Sequence, residues 1–288
     1  MGRYFLFRET NKMKRFLLGT AALAALCLSI PAFAADLPAR VTKAPPALVS
    51  PAYDWSGFYL GVNAGYTFDD DRDITTTGQA QANINNVAGG ARPGRVRLDR
   101  ECFIGGGQMG YNWQVSPNWV FGLEADLSYV DIRRDVNVVT VPLNGIGLLN
   151  NTFRTRMDYL GTVRGRIGYA WDRTLLYATG GLAYADIENS VNFFGPNVQG
   201  GLLQFTGSDR RTEVGYTVGA GIEHAFAPNW TVKAEYLFYD LRDNTVNVAL
   251  IGNGGGGTGY NSRFENDGHI VRAGLNYKFG GPGPGMRW

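Results

Sequence analysis

The feature that most constrains the fold is a strict alternation of apolar and polar residues that returns along the chain. Between residues 58 and 68, in FYLGVNAGYTF, every second residue is apolar and the residues between are small or polar. A β-strand points successive side chains to opposite faces, so this pattern predicts a strand between two unlike environments. The pattern predicts eight strands in all, at about 58–68, 103–113, 119–130, 159–170, 175–186, 213–226, 230–238 and 268–279.

The connections between these strands alternate between short and long. Tight turns are predicted after the second, fourth and sixth strands, at Pro117-Asn118, Trp171-Asp172-Arg173 and Pro228-Asn229. Proline and asparagine favour tight turns, and each of the two Pro-Asn-Trp copies begins another alternating strand. Long polar connections are predicted at 69–101, 131–157, 187–212 and 243–266. Together these features predict an all-β fold, an eight-stranded antiparallel up-and-down barrel.

Alternation alone does not say which face points inward, because a soluble eight-stranded barrel also has one apolar face. Here glycines crowd the polar face, which fits a narrow interior better than a solvated exterior. The polar face also carries four acidic and four basic residues, and their pairing would offset the cost of burying them. We predict that these eight residues form an ion-pair network in the lumen: Glu124, Asp126, Arg164, Arg166, Glu223, Lys233, Glu235 and Arg272.

Aromatic residues gather at both ends of the apolar face. Outer-membrane barrels place such residues at the two membrane surfaces, where the ring meets lipid on one side and water on the other. We therefore predict an aromatic girdle formed by Trp113, Trp119, Trp171, Trp230, Tyr66 and Tyr129. The predicted fold is a transmembrane β-barrel with short periplasmic turns and long outer loops.

The segments outside the barrel have their own signatures. A basic stretch, an apolar run and the small-residue site AFA predict a secretory signal peptide, cleaved near Ala34/Ala35, with Met13 as a candidate start. The segment that follows is rich in Pro and Ala, which is typical of a leader. The predicted organisation is signal peptide 1–34, leader 35–54, barrel 55–279 and Gly/Pro-rich tail 280–288.

Charge and cysteine content exclude some functions. The signal segment holds five of the 27 basic residues and one of the 25 acidic ones, which leaves 22 basic and 24 acidic residues. This near-neutral balance gives no electrostatic case for nucleic acid as a partner. Cys102 is the one cysteine beyond the signal segment, so an intrachain disulfide is excluded there. The run Asp69-Asp70-Asp71 is either a solvated loop or a divalent-cation site.

Five segments carry a specific set of motifs: AADLPARVTKAPPA, YDWSGFYLGVNAGY, FIGGGQMGYNWQ, LGTVRGRIGYAWDRTLLYATGGLAY and RAGLNYKF. As a set they resemble the small porin-like outer-membrane immunogenic proteins of alphaproteobacteria. The resemblance implies an OmpA-like eight-stranded barrel in the outer membrane of a Gram-negative cell, with a structural and surface-antigen role. It also implies that the barrel-assembly machinery is a partner during biogenesis. Tyr277 and Phe279 are then the assembly signal, although this chain continues to Trp288.

The fold and this resemblance together imply a non-enzymatic outer-membrane protein that maintains envelope integrity and is exposed as a surface antigen. Arginines recur near the outer rim, and Arg133, Arg134, Arg210 and Arg211 are candidate contacts for lipopolysaccharide. Guanidinium groups suit bidentate contacts with phosphate, which lipopolysaccharide presents at that level. Outer-membrane lipid, peptidoglycan and host surfaces are the other expected contacts.

Two alternatives stay open at the level of sequence. One is a narrow diffusion pore. The other is a barrel that binds haem or another small ligand, with His269, Tyr260 or Met157 as candidate haem ligands. No other cofactor is expected, and no metal site apart from the alternative reading of Asp69-Asp70-Asp71. An enzyme is not expected either, because His224 and His269 fall near opposite ends of the predicted barrel and have no convincing catalytic partner.

Overall fold

The computed structural model describes residues 53–68, 73–98, 101–145, 147–196, 201–251 and 259–279. The predicted signal peptide, the predicted tail and all but the last two residues of the predicted leader lie outside the described residues. The run Asp69-Asp70-Asp71 lies outside them as well. Across the described ranges, no α-helix is both long enough and apolar enough to cross a bilayer.

The described residues form ten β-strands and one short α-helix. In chain order these are β1 Gly57–Phe68, β2 Asp73–Gly78, α1 Gln81–Ala88, β3 Arg95–Arg97, β4 Cys102–Gln114, β5 Trp119–Thr140, β6 Leu149–Trp171, β7 Thr174–Pro196, β8 Leu202–Ala225, β9 Trp230–Ile251 and β10 Tyr260–Lys278.

Eight of the strands close into a ring. β1 and β4 to β10 pair in chain order, each antiparallel to its neighbours, and β1 also pairs with β10 from Tyr59↔Lys278 to Phe68↔His269. Closure leaves no free strand edge in this part of the molecule, as a strand structure inside hydrocarbon requires. The predicted antiparallel up-and-down barrel is confirmed. β2 and β3 are additional: β2 pairs with β10 beyond the end of β1, and β3 pairs with β2.

The two Pro-Asn turns make the same contacts. The Asn118 carbonyl accepts a hydrogen bond from the Ala170 amide at 2.7 Å, and its side-chain Nδ2 donates to the Ala170 carbonyl at 2.9 Å. Asn229 holds the Lys278 backbone in the same way, at 2.7 and 2.8 Å. Each asparagine therefore ties its turn to the neighbouring strand, which explains why the chain contains the motif twice. We call this the inner end of the barrel.

The strands extend further at the opposite, outer end than the sequence pattern predicts. β5 and β6 stay paired from Ile132↔Met157 to Thr140↔Leu149, and β7 and β8 pair as far as Pro196↔Leu202. The segments predicted as long connections at 131–157, 187–212 and 243–266 are therefore mostly strand, and 69–101 contains β2, α1 and β3. This corrects the predicted strand ends.

The reason is that the alternation continues with its polarity reversed. Between Tyr129 and Val139 the outward positions of β5 are polar: Asp131, Arg133, Asp135 and Asn137. The inward positions are mostly apolar, and Val130 and Ile132 are buried. Outside the bilayer the barrel wall faces water, so burial of apolar surface favours the interior there. A single polarity along the whole chain predicts loop in this region, which is why the predicted strands end too early.

Apolar side chains fill the interior in three separate layers. At the inner end lie Trp55, Val120, Ala170, Leu175, Tyr177 and Ala225. A second layer lies between the lumen charges and the outer end of the barrel. It contains Ile104, Val130, Ile132, Met157, Leu160, Ala183, Ala185, Ile187, Leu237, Tyr239, Leu241 and Ile270. The outermost layer contains Phe153, Phe193, Phe205 and Phe264, together with Ile74 of β2 and Val96 of β3. The two additional strands therefore contribute to the outer core.

Candidate functional site

The eight charged residues predicted for the lumen come together inside the barrel. Each lies at an inward position and is at most 6% exposed. Strand register sets three acid–base pairs directly across from each other: Glu124↔Arg164, Glu223↔Lys233 and Glu235↔Arg272. The side chains then reach beyond these neighbours to strands that are not adjacent in the sheet. We call this set the lumen network.

Arg164 is the centre of the lumen network. Its Nη2 lies 2.5 Å from Glu124 Oε1 and 3.0 Å from Asp126 Oδ2, and its Nη1 lies 2.8 Å from Glu235 Oε1. Its Nε donates to Thr162 Oγ1 at 2.9 Å. One guanidinium thus contacts three carboxylates on two strands, which uses the planar donor fork of arginine in full.

Two more cationic side chains donate hydrogen bonds to the same carboxylates. Lys233 Nζ donates to both oxygens of Glu124, at 2.7 and 2.8 Å. Arg272 Nε donates to Glu235 Oε2 at 2.8 Å, and its Nη1 donates to Asp126 Oδ1 at 2.9 Å. Asp126, Glu124 and Glu235 therefore each contact at least two cationic side chains, and no single pair is independent of the others.

Arg166 extends the lumen network toward the inner end. Its Nη2 donates to Glu223 Oε2 at 2.6 Å, and its Nη1 donates to Tyr59 Oη at 3.0 Å. Tyr59 Oη in turn donates to Glu124 Oε2 at 2.7 Å, so Tyr59 links Arg166 and Glu223 to the carboxylates around Arg164. The Arg166 guanidinium also lies 4.0 Å from the ring centroid of Tyr177.

Several polar partners were not among the predicted site residues. Thr231 Oγ1 donates to Glu223 Oε1 at 2.5 Å, and Asn276 Nδ2 donates to the same oxygen at 2.9 Å. Gln108 Oε1 accepts from Asn63 Nδ2 at 3.1 Å. All of these residues occupy inward positions, so the alternation could have identified them as lumen residues. It could not have identified their partners.

Glycines leave the room that the buried tyrosines need. A Cβ atom at Gly221 would lie 2.5 Å from Tyr177 Oη and 2.6 Å from its Cζ. A Cβ atom at Gly110 would overlap the Tyr59 hydroxyl in the same way. Such contacts are far inside van der Waals range, so a side chain at either position would displace a tyrosine that holds Arg166.

A tryptophan covers the inner side of the lumen network. Trp55, just before β1, is 1% exposed, and its Nε1 donates to the Asp172 carbonyl at 3.0 Å. Its backbone amide donates to Gln114 Oε1 at 2.8 Å. Tyr53 packs edge-on against it at 4.9 Å, and Lys278 Nζ lies 4.5 Å from the Tyr53 ring centroid. Tyr53 and Trp55, on either side of the predicted start of the barrel segment, thus form an inner stopper.

The predicted girdle residues all point outward, in two groups. Trp113, Trp119, Trp171 and Trp230 lie at the inner end, where Tyr169 packs against Trp119 at 5.6 Å and against Trp171 at 4.7 Å. At the outer rim, Tyr129 is exposed and Tyr66 packs against Phe103 at 5.2 Å.

The two predicted assembly-signal residues lie at the inner end. The Tyr277 ring packs between Trp230 at 5.1 Å and Phe279 at 5.0 Å. The Phe279 amide donates to the Phe58 carbonyl at 2.8 Å, so the residue continues the pairing of β10 with β1. Both side chains face outward, toward the surface that the apolar residues of the barrel form.

The four arginines predicted to contact lipopolysaccharide lie beyond the outer rim of the barrel, on the side away from the inner end. Each has a partner within the protein. Arg133 pairs with Asp131 at 3.1 Å, and Arg210 pairs with Asp186 at 2.7 Å. Arg211 pairs with Asp209, and Arg134 Nη2 donates to the Glu101 carbonyl at 2.6 Å.

Similar pairs cross the other outer strands. Arg154 donates two hydrogen bonds to Asp135, at 2.7 and 2.9 Å, and this hydrogen bonding lowers the pKa of the Asp135 carboxyl. Arg263 pairs with Asp243 on the neighbouring strand. We call Arg133, Arg154, Arg210, Arg211 and Arg263, together with their partners Asp131, Asp135, Asp186, Asp209 and Asp243, the charged belt.

The histidines and the candidate haem ligands do not converge. His224 Nδ1 lies 3.0 Å from Thr174 Oγ1 at the inner end, whereas His269 Nδ1 lies 2.7 Å from Tyr236 Oη at the outer rim. Tyr260 is buried in the outermost apolar layer and Met157 in the layer below it. Within the ranges that the structure describes, no group of three or more His, Cys, Asp or Glu residues is placed to hold a metal ion.

Known proteins are similar to this chain over most of its length. Residues 20–279 match the outer membrane protein beta-barrel domain. The 31 kDa outer-membrane immunogenic protein of Brucella melitensis biotype 1 is 34% identical, over 90% of this chain and 98% of its own. The 22 kDa outer membrane protein of Rhizobium leguminosarum bv. viciae is 29% identical, over 80% and 81%. Among solved structures, OprG from Pseudomonas aeruginosa aligns with a TM-score of 0.39 and 11% identity, over 78% of this chain and 96% of that one.

Proposed function

Since the chain belongs to the family of outer membrane protein beta-barrel domains, we propose that it is a non-enzymatic, sealed barrel that supports the outer membrane and presents a surface outside it. The observation that carries this proposal is the lumen network, four carboxylates and four cations that neutralise one another inside the wall. A conducting pore needs a continuous path of water. Here the side chains bond to each other instead.

The layers on either side of the lumen network support the same reading. The inner stopper covers it from one side, and the apolar layer around Val130, Leu160 and Leu237 covers it from the other. An eight-stranded barrel is just wide enough for its own side chains to fill. Removing one partner from the lumen network would leave an uncompensated buried charge, at a cost of about 3–5 kcal/mol.

Conductance measurements test the sealed lumen. The purified protein in a planar lipid bilayer should give no steady, discrete openings, because the charged side chains of the lumen network bond to one another and apolar layers cover them on both sides. An open porin inserted in the same membrane is the positive control. Discrete openings of constant size would assign a narrow diffusion pore instead. A Soret shift on titration with haem, saturating at one equivalent, would assign the ligand-binding alternative.

The charged belt supports lipopolysaccharide as the outer contact. It begins just beyond the girdle residue Tyr129, where a membrane-embedded barrel would meet headgroup phosphates, and the side chains of Arg133, Arg210 and Arg211 are 53–62% exposed. Each guanidinium has five donors, so the ion pairs within the barrel leave donors for phosphate. Replacing Arg210 and Arg211 by glutamine should reduce the lipopolysaccharide that stays bound through purification by about tenfold.

Arg95→Gln is the matched control for this experiment. Arg95 is also exposed and paired with a carboxylate, at 3.3 Å from Asp73, but it lies on β3 rather than in the predicted contact set. Equal lipopolysaccharide retention by all variants would count against contact through Arg210 and Arg211. The proposal also includes signal cleavage near Ala34/Ala35 and recognition of Tyr277 and Phe279 by the assembly machinery.

A further inference from the structure

The wall of the outer barrel is interrupted between β8 and β9. Their pairing stops at Thr206↔Ala249 and begins again at Gly215↔Leu241, so residues 207–214 of β8 and 242–248 of β9 are not paired with each other. In the other strand pairs of the described ring, an irregularity between two paired stretches spans at most two residues of either strand. We call residues 207–214 and 242–248 the seam.

Each side of the seam is held by its other neighbour in the barrel. Residues 207–214 pair with β7 along their whole length, and the residues from Asn244 to Val248 pair with β10. A Cβ atom at Gly207 would collide with the Asn247 carbonyl, so the two sides still touch at the outer end of the seam. Separating them would therefore break no strand pairing that the structure contains.

Buried polar side chains lie at the level of the seam, between two apolar layers. On three strands such a residue stands between a member of the second layer and a member of the outermost layer. These are Thr155 between Met157 and Phe153 on β6, Asn189 between Ile187 and Val191 on β7, and Asn244 between Leu241 and Val246 on β9. Asn189 also pairs directly across from Asp209 of the seam. The interior is therefore polar at this level and apolar on both sides of it.

The amides at this level lack partners. Thr155 Oγ1 donates to Asn189 Oδ1 at 2.6 Å, but within the described ranges Asn189 Nδ2 and both amide atoms of Asn244 form no hydrogen bond. By contrast, the equally buried Asn151 donates through Nδ2 to the Val138 carbonyl at 2.9 Å and accepts through Oδ1 from Arg92 at 2.7 Å. A buried amide without a partner costs free energy that contact with water would return. Separation of the seam would relieve that cost.

The charged residues of β8 show that the seam is already partly open to water at its edge. Arg211 occupies an inward position of β8, in the same alternation as the buried Glu213 and Thr217. Its side chain is nevertheless 53% exposed. Arg211 pairs with Asp209 and with Glu213, which lies 3.6 Å away, and both acids belong to its own strand. These contacts therefore move with β8 and do not tie it to β9.

We propose that the seam is a lateral gate in the outer barrel, which opens by separation of 207–214 from 242–248 and admits water to the polar level behind it. Burial of Val246 and Val248 in the outermost layer favours the closed state, and hydration of the Asn189 and Asn244 amides favours the open one. The second layer lies between the gate and the lumen network, so an open gate leads into a closed chamber. Opening therefore leaves the conductance of the barrel unchanged.

The reaction of single cysteines tests whether the gate opens in the folded protein. In a Cys102→Ser background embedded in lipid nanodiscs, Val246→Cys should react with a charged methanethiosulfonate reagent at least about tenfold faster than Thr155→Cys. The two side chains are similarly buried, at 1% and 2%, and both are close to cysteine in size. Thr155 is paired on both sides, with β5 and with β7, whereas Val246 lies in the seam. Equal rates at the two positions would overturn the proposal.

A variant that holds the gate closed keeps the test informative if the cysteine variants fold poorly. Asn244→Leu removes the unpartnered amide at nearly constant volume, so it should slow hydrogen exchange of the amides in 207–214 by about tenfold. It should also raise the unfolding temperature, whereas Asn151→Leu removes a bonded amide and should lower it. Unchanged exchange in 207–214, or a lower unfolding temperature for Asn244→Leu, would count against a gate.

Discussion

Replacing Arg164 by alanine is expected to lower the unfolding temperature of the barrel by about 10 °C. The substitution leaves the carboxylates of Glu124, Asp126 and Glu235 buried with one fewer cation, and breaking a buried ion pair costs about 3–5 kcal/mol. For a barrel of this size, each kcal/mol corresponds to about 2–4 °C. The shift between folded and unfolded bands on a gel, after heating in detergent, measures the effect.

Arg154→Ala is the matched control for Arg164→Ala. Both arginines lie on β6 and both bond to carboxylates, but Arg154 belongs to the solvent-exposed charged belt, where such a pair contributes at most about 1 kcal/mol. Arg164→Ala leaves the buried Glu235 carboxylate with one fewer cation. Adding Glu235→Gln removes that negative charge and should therefore restore part of the lost stability. Equal unfolding temperatures for Arg164→Ala and Arg154→Ala would contradict a structural lumen network.

The second large effect is expected on the lipid-facing surface. Leu123 points outward near the middle of the segment between the girdle residues Trp119 and Tyr129. A charged side chain at the bilayer midplane costs about 2–4 kcal/mol, so Leu123→Arg should destabilise the barrel in liposomes by that amount. Urea titration of folded protein in phospholipid vesicles, followed by tryptophan emission, gives the free energy of unfolding.

Asn137→Arg provides the comparison on the same strand. Asn137 also points outward from β5, but it lies beyond Tyr129, where the wall faces water. The same new charge should therefore change the free energy of unfolding there by less than about 0.5 kcal/mol. A similar loss at both positions would mean that the polarity of the wall does not reverse along β5.

The membrane-embedded part of the fold could be predicted well because its signal is simple. From Trp119 to Tyr129, lipid on one side and a packed lumen on the other require a strict alternation of side chains. The segment motifs also indicate the family, and the match of residues 20–279 and the 34% identity to the Brucella melitensis outer-membrane immunogenic protein confirm that resemblance. These features depend on single residues or on neighbours in sequence, so they can be read without coordinates.

The outer half of the fold could not be predicted in the same way. Val130 and Ile132 face the interior for the opposite reason to Glu124, because the surroundings change from lipid to water along one strand. A sequence pattern shows that apolar and polar residues alternate, but it does not show which of the two sets faces the interior. β3 has three residues, and α1 has no side-chain cap at its N-terminus, so neither gives a clear local signal.

The lumen charges could be predicted as a set but not as contacts. Their inward positions follow from the same alternation as the girdle. The contacts of Arg164 with both Glu124 and Glu235 join β6 to β5 and β9, and they depend on the closure and register of the whole ring. The burial of Trp55 depends on Gln114 and on Asp172, 117 residues away. No local pattern contains such information.

Accessibility of single cysteines along β5 tests most directly the claim that the wall faces lipid below Tyr129 and water above it. In a Cys102→Ser background, nitroxide labels would be attached at positions 121, 123, 127, 133, 135 and 137 of the liposome-embedded protein. The account predicts that dissolved oxygen relaxes the first three labels more strongly, and that a water-soluble nickel complex relaxes the last three more strongly. Strong relaxation of the labels at 121 to 127 by the nickel complex in folded protein would contradict it.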